Sequence, residues 1–113
     1  NNKTMNKFKN FQDFKNQVNA IIQPQEINGS FNDLGDSYQF EPETRKPYKN
    51  KRADFLHGMQ IIYFIKDNIF EISEYQASER ENELHIFKET NILKYAIKEV
   101  YKGNKRKPIK VWN

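Results

Sequence analysis

At 113 residues the chain has room for one domain with a substantial core and not for two independent ones. It contains no cysteine, which excludes disulfide frameworks, thiolate metal sites and cysteine nucleophiles, and no run approaches the roughly 18 apolar residues of a membrane span. The formal charge of +4 is unevenly spread: residues 66–89 hold three cations against seven carboxylates, and residues 90–113 hold seven cations against one, so the basic pole says more about partners than the total does.

Apolar content is 36% and mean hydropathy −1.00, low for a folded protein, yet nine Phe and six Tyr raise aromatic content to 14%. A core built here must rest on rings and Ile, each of which buries a large area. With no apolar N-terminal run, the expectation is a soluble, cytoplasmic protein.

From about residue 6 to 22, Phe8, Phe11, Phe14, Val18, Ile21 and Ile22 recur at spacings of three and four, which predicts an amphipathic helix ended by Pro24. Asn10 is a candidate cap, with Asp13 three residues on. Residues 23–52 then show little periodicity and much punctuation, including Asn28-Gly29, Gly35, Pro42 and Pro47, and are expected as an irregular loop. Inside it Ser37-Tyr38-Gln39-Phe40-Glu41 alternates like a short strand. Tyr38, Phe40 and Tyr48 there stand among Arg45, Lys46, Lys49, Lys51 and Arg52, a mixture suited to single-stranded nucleic acid and equally common in a solvated loop.

Residues 58–75 carry the clearest signal. Two runs rich in Ile, Tyr and Phe flank Asp67-Asn68, a pair that tolerates the positive φ of a tight turn, so a β-hairpin is predicted with Ile65 opposite Phe70 and Ile61 opposite Glu74. One face would carry Met59, Ile61, Tyr63, Ile65, Phe70 and Ile72, the core side. The other would carry Ile62, Phe64, Ile69 and Tyr75 among polar residues. Residues 83–87 alternate as a further strand. Over 91–102, Leu93, Ala96, Ile97, Val100 and Tyr101 form one helical stripe, capped by Thr90 or Asn91 and closed by Gly103. Residues 108–112 fit a final edge strand, joined through the helix as a crossover unit with parallel strands.

The predicted whole is a single α+β domain spanning 1–113: a small antiparallel sheet packed against two helices. Two helices on one face leave the Ile62, Phe64, Ile69, Tyr75 face for a protein partner or for a second subunit of a homodimer. The order helix, three strands, helix resembles the layout of the double-stranded RNA-binding domain, which recognises RNA by shape. The sequence departs from that family where its basic cluster would fall, at Lys88-Glu89-Thr90-Asn91-Ile92, and in the long segment after the first helix.

Chemistry-bearing motifs are sparse. His57 and His85 could act as acid and base on RNA if they converged, although two histidines in a small protein usually serve packing or surface roles. No metal-ligand spacing, glycine-rich phosphate loop or nucleophile elbow can be written, so neither a metal nor a cofactor is expected. Lys94, Lys98, Lys102, Lys105, Arg106, Lys107 and Lys110 form a dense basic group, either a phosphate-binding footprint or a solvated face. The leading expectation is a non-enzymatic protein-binding module, an inhibitor or immunity-type protein. Nucleic-acid binding through the basic C-terminal region comes second and a ribonuclease using the two histidines third.

Overall fold

A computed structural model describes residues 7–22, 29–42, 58–77, 82–102 and 107–112. Helix α1 (Phe11–Ile22) is followed by strands β1 (Gly29–Asp33), β2 (Ser37–Pro42), β3 (Gly58–Phe64), β4 (Ile69–Ala77) and β5 (Asn82–Thr90). Helix α2 (Leu93–Lys102) and strand β6 (Lys110–Trp112) complete the order. The six strands form one antiparallel sheet in sequence order, so each strand pairs with its neighbour in the chain. The α+β class expected from sequence is present, with a larger sheet than expected.

Helix α1 begins where the local chemistry dictates. The Asn10 side chain accepts the Asp13 amide at 2.9 Å, and the Asp13 carboxylate reaches back to the Lys9 amide at 2.9 Å, so two orphan donors are satisfied reciprocally. That cap fixes the start at Phe11 and leaves residues 7–10 outside the helix. Phe8, just upstream, turns back onto Phe14, ring to ring at 5.2 Å and nearly perpendicular.

The segment expected as an irregular loop contains a hairpin. β2 covers the alternating stretch from Ser37, and β1, which has one apolar residue in five, was not expected. Gly35 sits in the turn at φ 93, a conformation open to glycine at no steric cost, while the Leu34 amide donates to the Ser37 carbonyl at 2.9 Å. Gly29 answers a different need: a Cβ there would meet the Glu41 carbonyl and the Phe40 ring. Residues 23–28 and 43–57 lie outside the described residues.

In the β3–β4 hairpin the register differs from expectation. Tyr63 faces Phe70, Ile61 faces Ile72 and Met59 faces Glu74. The turn comprises residues 65–68 and not two residues, because the Asn68 amide donates to the Phe64 carbonyl at 2.8 Å, Asn68 takes φ 54, and Tyr63 Oη hydrogen-bonds Asn68 Oδ1 at 2.6 Å. The slip is two residues, so every side chain keeps its expected face.

β5 extends beyond the predicted 83–87 and contains a bulge: Ile72 pairs with Lys88 while Ser73 pairs with Ile86, leaving Phe87 extra. Helix α2 starts at Leu93, one turn-like step past the expected cap. Thr90 Oγ1 accepts the Ile92 amide at 3.2 Å, and Ile92 itself takes the cap position. β6 pairs with β5 antiparallel, which corrects the expected parallel crossover. A parallel return requires the helix to carry the chain back along the whole of β5, about 30 Å. The ten-residue α2 covers about 15 Å. β6 therefore joins opposite Ile86 and continues toward Leu84.

Both helices pack on one sheet face. The core joins Phe8, Phe14, Val18 and Ile22 to Tyr38 and Phe40, to Met59, Ile61 and Tyr63, to Phe70 and Ile72, and to Ala96, Ile97 and Val100. Rings dominate it: Tyr63 contacts Phe8 edge-on at 4.8 Å and Phe70 at 4.9 Å, and Phe31 lies 4.8 Å from Phe40. Such pairs add about 0.5–1.5 kcal/mol each beyond the area they bury.

Candidate functional site

The face turned away from the helices is built by strand alternation, and its layout follows from the register. At one end Ser37, Phe64 and Ile69 lie side by side on β2, β3 and β4. One step along come Gln39, Ile62, Glu71 and Glu89. Next are Gln60, Ser73, Ile86 and Lys110, and at the other end Tyr75, Leu84 and Trp112. The four residues expected on this face, Ile62, Phe64, Ile69 and Tyr75, are all there. Ile62 is buried, Phe64 and Ile69 are half-buried, and Tyr75 is exposed. Ser37, Ser73 and Ile86 on the same face are buried as well.

A row of polar side chains crosses the middle. Asn32 Nδ2 donates to Gln39 Oε1 at 2.9 Å, Gln39 Nε2 to Gln60 Oε1, and Gln60 Nε2 to Ser73 Oγ at 3.1 Å. Each group satisfies the next, so half-buried amides sit on the sheet without a desolvation penalty. The row divides two apolar patches: Ile62, Phe64 and Ile69 on one side, Tyr75, Leu84 and Trp112 on the other.

Electrostatically this face is acidic. Glu71 stands opposite Glu89; burial pushes its carboxyl above the ordinary value, the Glu89 charge pushes it further, and Lys110 draws it partly back. Lys110 Nζ lies 3.5 Å from Glu89 Oε1. Glu41, placed here by alternation along β2, adds a third carboxylate to the face against the single described lysine.

The basic group expected to act together is divided. Lys94 and Lys98 are exposed on α2, on the helix side of the sheet, while Lys110 projects from the opposite side and is paired. Lys107 is exposed before β6, Lys102 lies in the last turn of α2, and Lys105 and Arg106 fall outside the described residues. His57 also falls outside them. His85 lies on the helix side of β5 opposite Glu74 and Val111, with Nε2 3.3 Å from Glu83 Oε1 and its ring 6.3 Å from Phe87.

Sequence reading missed Asn32, Gln39 and Gln60 as one row, and missed Leu84 and Trp112 as companions of Tyr75. Alternation within each strand was visible, but lateral neighbours require the register. Among the described residues no cluster of three His, Asp or Glu could hold a metal ion, and no helix is long and apolar enough to cross a membrane. No protein-family model, curated protein or solved structure matches the chain.

Proposed function

We propose that the chain is a non-enzymatic protein-binding module, of the kind that inhibits or neutralises another protein, and that it docks through the sheet face opposite the helices. One observation supports this most directly: two apolar patches flank a self-satisfied polar row and a pair of facing carboxylates. That is the make-up of an interface, with apolar anchors and polar groups already arranged. The excess of carboxylates defines the partner's chemistry, an apolar surface carrying a basic group that can sit over Glu71 and Glu89.

The test immobilises the full chain and its Phe64→Asp and Ile69→Asp variants, each first shown to be folded by circular dichroism, and compares what each retains from a cell extract. A protein held by the parent chain and lost by both variants is the expected result. Equal retention by all three, or none by any, refutes docking through this face. A steeply salt-dependent affinity for single-stranded RNA that disappears when Lys94 and Lys98 are replaced points instead to nucleic acid.

A further inference from the structure

We draw no further inference here: the strongest candidate, the apolar surface that Ile92 and Tyr95 at the start of α2 and Ile109 and Val111 along β6 leave exposed on the helix side of the sheet, carries nothing because nothing in the structure shows what covers it.

Discussion

Tyr101 and Tyr63 make opposite predictions for the same substitution. The Tyr101 hydroxyl is buried and has no hydrogen-bond partner among the described residues; its ring packs 6.4 Å from that of Phe40, and burial alone pushes its pKa up to about 12. The Tyr63 hydroxyl donates to Asn68 Oδ1 at 2.6 Å. Leaving a buried hydroxyl unsatisfied costs about 1–3 kcal/mol, whereas a made hydrogen bond contributes about 1 kcal/mol net. Tyr101→Phe keeps the ring and removes the orphan, so it should raise stability by about 1 kcal/mol, or about 4–8 °C in Tm for a domain near this size. Tyr63→Phe should lower it by a similar amount. Urea titrations followed by far-ultraviolet circular dichroism measure both. There is a pH signature as well: because the folded-state pKa of Tyr101 is raised, its stability contribution is complete below pH 10.0 and is lost as pH climbs toward 12. Tyr101→Phe should flatten that alkaline limb. A loss of stability in Tyr101→Phe equal to that in Tyr63→Phe refutes the reasoning, since it requires a partner for the Tyr101 hydroxyl.

Gly29→Ala should destabilise by about 1–3 kcal/mol by thermal melt, because the added methyl meets a backbone carbonyl at Glu41 and the packed Phe40 ring; a neutral result would mean that β1 can lift away freely. Asn10→Ala should cost about 1 kcal/mol by removing the cap on α1. The same cap holds the Asp13 carboxyl below its ordinary value, first through the Lys9 amide and then through Gln17. Its contribution is therefore present above pH 3.8 and fades as pH falls through the lowered pKa, a slope that Asp13→Asn should remove in acid melts. Glu71 has the reverse sign. Its carboxyl is raised, so stability is complete below pH 4.5 and falls as pH rises through the folded-state value. Glu71→Gln should melt higher than the parent chain at neutral pH and no differently below pH 4.5; an equal gain at both would assign the effect to packing.

The helices and the central hairpin were legible because their signals are local. Phe14, Val18 and Ile22 are spaced for one face of α1, and Ala96, Ile97 and Val100 for one face of α2, and all six are buried. β1 was not legible, since Gly29-Ser30-Phe31-Asn32-Asp33 reads as turn chemistry and becomes a strand only by pairing with β2. The direction of β6 was missed because the crossover rule assumes a helix long enough to return the chain, and α2 is not. On β5 the alternation of Leu84 and Ile86 against His85 and Phe87 was readable. The bulge was not, and it is the bulge that brings Lys88 to the helix side, where its ammonium lies 5.5 Å over the Tyr95 ring.

The error in the hairpin register points to what the polar row does for the fold. Sliding β4 by two residues against β3 keeps every apolar residue on its own face, so burial alone barely distinguishes the true register from the slipped one. In the slipped register Ser73 would face Ile62, and Gln60 would face Tyr75. The bond from Gln60 to Ser73 would be lost, and the row from Asn32 through Gln39 would end in an unsatisfied half-buried amide. That penalty is about 1–3 kcal/mol, a large share of the margin by which small domains are stable. The Asn68 turn with its Tyr63 hydroxyl bond sets the same register from the other end of the strands. Polar groups on the helix-free face thus decide which residues become neighbours there, and so which side chains make up the surface proposed above to meet a partner.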